Sequence, residues 1–323
     1  MVRIGFVGSG GIAGAHMHQL ATLRNAKLVG FCDIDATRAG KAAENYGGTA
    51  YTSHEEMYEE EDLDAIYICI PPSAHTDQEL LAIQRGLGVF VEKPIASTMA
   101  KAEQIAQALD DKGVVNSVGY HWRYLSVTDR AKDLLAGKQV GFALGYWIGG
   151  MPGVHWWRVM AQSGGQIVEQ TTHIFDLARY FLGDVTEVSA FGATGLMTDV
   201  EDYDVHDSTV ANLVFESGVI ANITSACIGS AEDRVGLQLF AKKLTAKLGV
   251  VSGAVELEVV EPGRRQVITN DNVAMMEEDR EFVNAVESGD TSRIRSPYRD
   301  ALETLKVTLA ANESIGTGEM VSL

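Results

Sequence analysis

The feature that most constrains the fold is a glycine-rich turn between an apolar segment and a helical one near residue 10. Val2–Gly8 has the unbroken apolar character of a strand buried on both faces. The turn that follows, G-S-G-G-I-A at residues 8–13, matches the pattern G-x-G-x-x-G/A. In that pattern the glycines permit a tight turn and close approach of a diphosphate, and the small last residue lets the helix pack against the strand. The pattern therefore predicts a dinucleotide site at the start of the first helix, where free N–H groups hold phosphates.

An acidic residue ends the second predicted strand at the position such a site requires. Lys27–Asp33 is again apolar up to Asp33, which lies 20 residues beyond Ala13. A carboxylate here hydrogen-bonds the ribose hydroxyls of NAD and repels the 2′-phosphate of NADP. Arg38 is close enough in sequence to pair with a 2′-phosphate, which keeps NADP open. We therefore expect NAD as cofactor, with a glycine-rich turn that binds no ligand as the alternative.

Strand-like and helix-like segments alternate through the first 120 residues. Further apolar strands are predicted at Ala65–Pro72, Val89–Pro94 and Val114–Tyr120. Helices are predicted at Ala13–Leu23, Ala36–Tyr46, Thr76–Arg85 and Thr98–Asp110. Continuous apolar strands separated by helices predict a parallel sheet covered on both faces, and right-handed crossovers make it doubly wound. We predict a dinucleotide-binding Rossmann domain over residues 1–120.

The pattern changes after Tyr120. Longer strands are predicted at Phe142–Met151, Glu187–Met197, Ser208–Phe215, Val219–Cys227 and Val235–Ala241. Among them lies one convincing helix, Gln166–Leu182, and a helical tail follows at Tyr298–Ser314. Successive strands with short turns predict an α+β domain over residues 121–323 with an open, mostly antiparallel sheet. Since such a sheet needs its second face covered, we expect a homodimer or homotetramer.

Composition excludes several classes of protein. The 323 residues suffice for two domains, and 46% of them are hydrophobic. The net charge of −18 argues against nucleic acid or an anionic membrane as partner. No apolar run approaches the ~20 residues of a membrane helix, and no signal peptide is recognisable, so we expect a cytoplasmic protein. Three scattered cysteines predict neither a disulfide framework nor a zinc site, and we expect no metal.

Two polar positions suggest acid–base chemistry. Lys93 follows a parallel strand at its carboxyl end, where doubly wound folds bind ligands; the alternative is an exposed strand-end lysine. In a helix Gln166–Leu182, Glu169, His173 and Tyr180 share one side, opposite an apolar side. Glu169 and His173 are then i,i+4 neighbours, so the carboxylate would orient the imidazole and favour its protonated form. The alternative is a solvated polar face.

Several motifs together resemble a known family. They are Glu92-Lys93-Pro94 at the end of the predicted strand Val89–Pro94, and Ser163-Gly164-Gly165 leading into His173 and Asp176. Pro71-Pro72 with His75, and Gly119-Tyr120 with Arg123, add to them. With the glycine-rich turn, these motifs resemble the glucose–fructose oxidoreductase / inositol dehydrogenase / rhizopine catabolism (Gfo/Idh/MocA) family over essentially the whole chain.

The resemblance implies an NAD(P)-dependent dehydrogenase acting on CH–OH groups of a sugar, cyclitol or derivative. It implies that Lys93 contacts the reacting hydroxyl and that His173 is the acid/base. Glu169, expected to position His173, completes the candidate catalytic residues. Many polyol-oxidising members carry Asp where this chain has Glu169, one methylene longer, so the substrate contacts stay open. The candidate cofactor-binding residues are Gly8, Gly10, Gly11, Ile12, Ala13, Asp33, Arg38, Pro71, His75, Glu92 and Lys93. The candidate substrate-binding residues are Lys93, Tyr120, Arg123, Trp157, Arg158, Glu169 and His173.

Several of the weaker candidate site residues have a second, structural interpretation. His75 could approach the cofactor or be a polar residue at a helix start. Trp157 and Arg158, with Trp156, could form an aromatic wall and a clamp for a sugar, or belong to a core cluster. Tyr120 and Arg123 could instead form a structural hinge. The acidic segment Asp199–Asp207 lacks EF-hand spacing and is predicted to be a solvated loop. The competing functions are a redox-neutral NAD-dependent glycosidase and a non-catalytic NAD(P)- or sugar-sensing protein.

Overall fold

The computed structural model describes residues 1–229 and 231–323, which form two compact units. The first unit comprises Met1–Tyr124 and Val273–Leu302, and the second comprises Leu125–Asn272 and Glu303–Leu323. This division differs from the single expected boundary near residue 120, because the chain returns to the first unit. The return has a packing reason: Phe282 and Val283 are fully buried in the hydrophobic core of the first unit.

The first unit is a doubly wound parallel sheet. Its strands are β1 (Val2–Val7), β2 (Ala26–Cys32), β3 (Thr49–Tyr51), β4 (Ala65–Ile68), β5 (Gly88–Val91) and β6 (Asn116–Val118). Its complete helices are α1 (Gly11–Leu20), α2 (Ala36–Tyr46), α3 (His54–Glu60), α4 (Gln78–Gln84), α5 (Met99–Lys112) and α10 (Ala274–Ser288). The strand order is β3-β2-β1-β4-β5-β6, and every pair is parallel. The predicted Rossmann fold is confirmed.

Local sequence signals account for most of the helix boundaries in this unit. The Asp35 side chain caps α2 by accepting from the N–H of Thr37, and the Thr98 side chain caps α5. Gly113 ends α5 in the left-handed conformation. The sequence analysis missed β3 and α3, because a strand of three residues carries too little periodicity to be recognised.

The second unit contains a nine-stranded sheet in the order β14-β13-β12-β11-β7-β10-β9-β8-β15. The strands are β7 (Val140–Ile148), β8 (Val185–Ala193), β9 (Ser208–Phe215), β10 (Ile220–Ala226), β11 (Arg234–Ala241), β12 (Leu244–Val251), β13 (Ala254–Glu261), β14 (Arg264–Thr269) and β15 (Val321–Ser322). The helices are α6 (Ser126–Leu135), α7 (Met160–Ser163), α8 (Gly165–Glu169), α9 (Thr172–Leu182) and the larger part of α11 (Tyr298–Thr317). β7 and β10 pair in parallel and the other neighbours are antiparallel, which confirms the predicted mostly antiparallel sheet.

The predicted continuous helix Gln166–Leu182 is wrong, because the chain forms α8 and α9 with a break between them. The carbonyl of Gln166 accepts from the N–H groups of both Gln170 and Thr171, which widens the turn. The Thr171 hydroxyl lies 2.8 Å from the hydroxyl of Ser225 in β10, which ties the break to the sheet. Glu169 and His173 are therefore not successive-turn neighbours on one regular helix.

Two further features concern the chain as a whole. Across the described residues, no helix combines the length and the apolar character needed to cross a membrane. Cys32, Cys69 and Cys227 are free and buried.

Candidate active site

The glycine-rich loop after β1 has the backbone geometry that its sequence pattern requires. Gly8 has a φ of +89°, and a Cβ added there would lie 2.2 Å from the carbonyl oxygen of Cys69. No other residue type fits this position without displacing the end of β4. At Gly10 and Gly11 an added Cβ would meet no described atom within 4 Å, so the backbone is open to a ligand. Ala13 is fully buried in the core, where a small side chain brings α1 close to the sheet.

The start of α1 suits an anion. Gly10 precedes the helix, and among the described side chains none caps it. The first N–H groups of a helix have no partner within it, and together with the helix dipole they favour negative charge. These residues therefore fit the diphosphate of a dinucleotide.

Asp33 lies beside the glycine loop and is held in a fixed orientation. Its carboxylate is almost fully buried and accepts from the N–H of Ser9 at 2.8 Å and of Asp35 at 2.9 Å. The Arg38 guanidinium lies 3.3 Å from Asp33 Oδ1 and 3.4 Å from Asp35 Oδ2. The carboxylate is thus placed as a ribose-binding acceptor, and the arginine is engaged by two carboxylates.

Lys93 is the second residue after β5, and Pro71 and His75 follow β4. Because the strands are parallel, these residues and the glycine loop occupy the same edge of the sheet. Lys93 is half-buried, its N–H donates to Glu92 Oε2 at 3.0 Å, and the Lys93–Pro94 peptide is cis. The His75 ring pairs with the carboxylate of Glu79 in α4, and both side chains are buried. Among the described residues, His75 Nε2 has no hydrogen-bond partner.

Tyr120 and Arg123 are both buried. Arg123 donates from Nη1 to the carbonyl of Arg295 at 2.6 Å and pairs with Asp300, so it fastens the returning segment of the first unit. These contacts give Arg123 a structural role, and its contact with substrate stays a prediction.

His173 lies in the first turn of α9 in the second unit. It is 4% exposed, and its ring stacks on that of Trp147 with the centroids 5.9 Å apart. Asp176 is fully buried and accepts from the Thr304 hydroxyl, to which Arg179 also donates. The alternative of a solvated polar face is therefore wrong for this helix. A buried imidazole can shift between neutral and charged forms in response to its surroundings, as a general base must.

Glu169 contacts the neighbouring aromatic segment. Its Oε2 accepts from Trp157 Nε1 at 2.7 Å. Trp157 is fully buried and packs with Val205 and Cys227, so of the two alternatives, an aromatic wall or a core cluster, its ring belongs to a core cluster. The indole N–H is satisfied by the partly buried Glu169 carboxylate, which allows the whole Trp157 side chain to be buried. Arg158 is partly exposed and donates to the carbonyl of Glu201 at 3.2 Å.

The sequence analysis missed two polar residues close to the Lys93 turn. His16 in α1 and Asp279 in α10 are both fully buried, and His16 pairs with Asp279 and with Glu92. The sequence gives one indication of this pair: His16 is a histidine on the apolar side of a predicted helix. Asp279 lies in the acidic run E-E-D-R-E at residues 277–281, where nothing distinguishes it from its neighbours.

Comparison with known proteins assigns the class. Residues 2–120 match the oxidoreductase family with an NAD-binding Rossmann fold, and residues 133–246 match the GFO/IDH/MocA C-terminal domain. The chain belongs to the Gfo/Idh/MocA family of oxidoreductases, as the motifs indicated.

Individual relatives include named dehydrogenases. D-xylose 1-dehydrogenase (NADP(+)) 2 of Haloferax volcanii is 26% identical, with all of both chains aligned. scyllo-Inositol 2-dehydrogenase (NAD(+)) of Bacillus subtilis is 28% identical over 70% of this chain and 69% of that protein. The matched regions of the first relatives span from 40% to 100% of their own length. The solved WlbA dehydrogenase of Bordetella pertussis, in complex with NADH and UDP-GlcNAcA, has the same fold: TM-score 0.84, 22% identity, 100% of this chain and 98% of that one.

Proposed function

We propose that this enzyme transfers a hydride between a nicotinamide cofactor and a carbon that bears a secondary hydroxyl on a sugar, cyclitol or derivative. The observation that carries the proposal is the position of Lys93. It is the second residue after β5, at the carboxyl edge of the parallel sheet, the edge at which the glycine loop follows β1. An ammonium at that edge is available to a hydroxyl brought to the cofactor-binding side of the domain.

The roles of the residues follow from the chemistry. When bound, the dinucleotide supplies the acceptor for the hydride. Oxidation of an alcohol also releases a proton, and His173 is the proposed base, since imidazole titrates near neutral pH. The Lys93 ammonium orients the hydroxyl and stabilises the negative charge that develops on its oxygen. Glu169 is proposed to act at the same reaction as a carboxylate that contacts substrate hydroxyls.

Relatives support the substrate class. Their names include a xylose dehydrogenase and an inositol dehydrogenase, both of which act on polyhydroxylated rings or chains. The negative net charge of this chain does not select among neutral sugars, acids and nucleotide sugars, so we propose a substrate class and no single substrate.

The direct test is an assay of reduced nicotinamide. The protein is incubated with NAD or NADP against cyclitols, aldoses, sugar acids and nucleotide sugars, and absorbance of the reduced cofactor is followed. Formation of reduced cofactor with a member of the panel supports the proposal. Cleavage of a glycoside without net reduction would identify the redox-neutral glycosidase instead. Tight NAD binding without turnover of any substrate would favour the sensing protein.

Cofactor preference gives a second prediction. We propose NAD as the preferred cofactor, supported by the fixed Asp33 carboxylate and the engagement of Arg38 by Asp33 and Asp35. Replacing Asp33 by Ser should lower kcat/KM with NAD by about 10- to 100-fold, the scale of a lost charge-assisted hydrogen bond. It should raise kcat/KM with NADP, because Arg38 becomes free to pair with the 2′-phosphate. Glu44→Gln on the exposed side of α2 is the matched control. An unchanged NAD/NADP ratio in Asp33→Ser would contradict this assignment.

Self-association is the third prediction. On one face of the nine-stranded sheet, Phe191, Val210 and Ile220 are 67%, 38% and 52% exposed. Strand register places Phe191 opposite Val210, and Val214 of the same face opposite Ile220, so two apolar pairs lie on this face on either side of Asn212. We propose that a second copy of the chain covers it, giving a homodimer or homotetramer. Light scattering should report a mass of at least two chains, and Ile220→Asp should lower that mass while Leu196→Asp, exposed outside the sheet, leaves it unchanged. A wild-type monomer at micromolar concentration would end the proposal.

A further inference from the structure

We infer that His16 and Asp279 form a buried ion pair that positions Lys93 through Glu92. The inference rests on the proposed function, in which Lys93 contacts the reacting hydroxyl. It adds two positioning residues, one in the helix that follows the glycine loop and one in the segment that returns from residue 273. All the groups belong to the first unit.

The His16 ring lies between two carboxylates. It is fully buried, with Nδ1 at 2.7 Å from Asp279 Oδ1 and Nε2 at 3.0 Å from Glu92 Oε1. The hydroxyl of Tyr67 donates to the same Asp279 oxygen at 3.1 Å. Phe90 packs edge-on against the imidazole, which keeps the pair dry.

This geometry requires the charged form of histidine. A neutral imidazole donates from one nitrogen and accepts at the other, so one carboxylate oxygen would face a lone pair. The imidazolium donates from both nitrogens. Burial lowers the pKa of His16, but the charges and hydrogen bonds of Asp279 and Glu92 outweigh it and hold the pKa well above its usual range. Burial raises the pKa of Asp279, and the charge and hydrogen bond of His16 oppose that rise. The direction of the His16 shift and its two carboxylate contacts both favour the imidazolium.

Glu92 transmits the position of this pair to Lys93. Its Oε2 accepts from the N–H of Lys93 at 3.0 Å while its Oε1 is held by His16. Gly119 makes room for the carboxylate, since a Cβ there would lie 2.4 Å from Glu92 Oε1. The Gly119 N–H in turn donates to the carbonyl of Val91 at the end of β5. The carboxylate thus fixes the backbone of the residue whose ammonium is proposed to hold the substrate.

Stability alone does not explain the arrangement. Apolar residues of similar volume are often as stable as a buried ion pair, because desolvation offsets the attraction between the charges. What apolar residues cannot supply is a fixed carboxylate beside Lys93 and a rigid connection from α1 to the turn after β5. A misplacement of a catalytic group by about 1 Å lowers rates by about 100-fold, so such a connection has functional value.

The test measures Lys93 directly, without cofactor or substrate. Competitive acetylation with acetic anhydride, quantified by peptide mass spectrometry, gives the reactivity of each lysine in the folded protein. In His16→Gln the negative charge of Glu92, the residue that precedes Lys93, is no longer balanced by the imidazolium, so the Lys93 amine should be less reactive as a nucleophile. We expect Lys93 to react several-fold more slowly, whereas Lys27 and Lys132 stay within error of wild type. Equal Lys93 reactivity in the variant and the wild type would overturn the inference.

Turnover provides the second readout. His16→Gln and Asp279→Asn should each lower kcat by about 10- to 100-fold, with the Kd for NAD within about threefold of wild type. If the two residues act as one unit, the double variant His16→Gln/Asp279→Asn should be no slower than either single variant. The double variant also removes both charges of the His16–Asp279 pair together, so it should be less destabilised than a single variant that leaves one of them unpaired. Tyr58→Phe, which removes a buried hydrogen bond elsewhere in the unit, controls for lost stability and should keep wild-type kcat.

The outcomes separate this inference from the proposed function. Full turnover in a Lys93 variant would remove the proposed role of Lys93, whatever the variants of His16 and Asp279 show. A Lys93 variant could lose turnover while folded His16→Gln and Asp279→Asn keep wild-type kcat. That result would leave the proposed function intact and would give the His16–Asp279 pair a structural role only.

Discussion

Replacing Lys93 by Met should lower kcat by about 100- to 1,000-fold while the Kd for NAD stays near the wild-type value. The expected size is that of removing one preorganised group that stabilises a developing oxyanion. Methionine keeps the length and apolar stem of the side chain, so the packing of the half-buried turn after β5 is disturbed little. Steady-state kinetics on the substrate found in the panel, with NAD binding measured by fluorescence, separates loss of chemistry from loss of cofactor.

Lys27→Met is the matched control for this experiment. Lys27 is an exposed lysine on β2 of the same unit, and its replacement removes the same charge from the protein. The control variant should keep wild-type kcat. Turnover by Lys93→Met within threefold of the control would remove Lys93 from the proposed mechanism.

The second large effect is expected at His173. His173→Asn keeps a planar, polar side chain against Trp147 but has no group that titrates near neutral pH. General acid–base catalysis contributes about 100- to 10,000-fold, so kcat should fall by that order. The pH–rate profile should also lose the limb that reports the base, and rates should rise with hydroxide concentration as water takes its place.

An exposed histidine controls for the substitution itself. His18 lies on the solvent side of α1, and His18→Asn should leave both kcat and the pH profile unchanged. A wild-type pH profile in His173→Asn would show that another group is the base. In that case the carboxylate of Glu169 would be the next residue to replace, with Glu169→Gln as the isosteric variant.

Local signals predicted the parts of the molecule that depend on local conformation. The glycine loop could be recognised because Gly8 needs positive φ and close approach to Cys69, and both requirements appear as a residue type at a fixed place after a strand. The parallel sheet could be recognised because strands covered on both faces read as unbroken apolar runs. The turn after β5 was found through its resemblance to the family, which spacing alone would not have supplied.

What the sequence could not reveal depends on contacts between distant residues. His16 and Asp279 are 263 positions apart, and no periodicity links them. At the break between α8 and α9, the Thr171 hydroxyl hydrogen-bonds with the hydroxyl of Ser225, 54 residues later in the chain. For Trp157 the sequence left two alternatives, a sugar-binding wall and a core cluster. Only tertiary packing, which buries its ring against Val205 and Cys227, decides between them.

The return of Val273–Leu302 to the first unit has a consequence for how the protein is made. During synthesis, the amino-terminal sheet leaves the ribosome long before Phe282 and Asp279 exist to complete its interior. Phe282 packs edge-on against Tyr67 and Phe90, and Asp279 is the second carboxylate partner of His16, so a nascent chain of 120 residues lacks that partner and has an open apolar surface. During translation, the first unit therefore cannot reach its final stability until residue 302 has emerged from the ribosome. Before that point, the incomplete first unit is the species most prone to aggregation and to binding by chaperones.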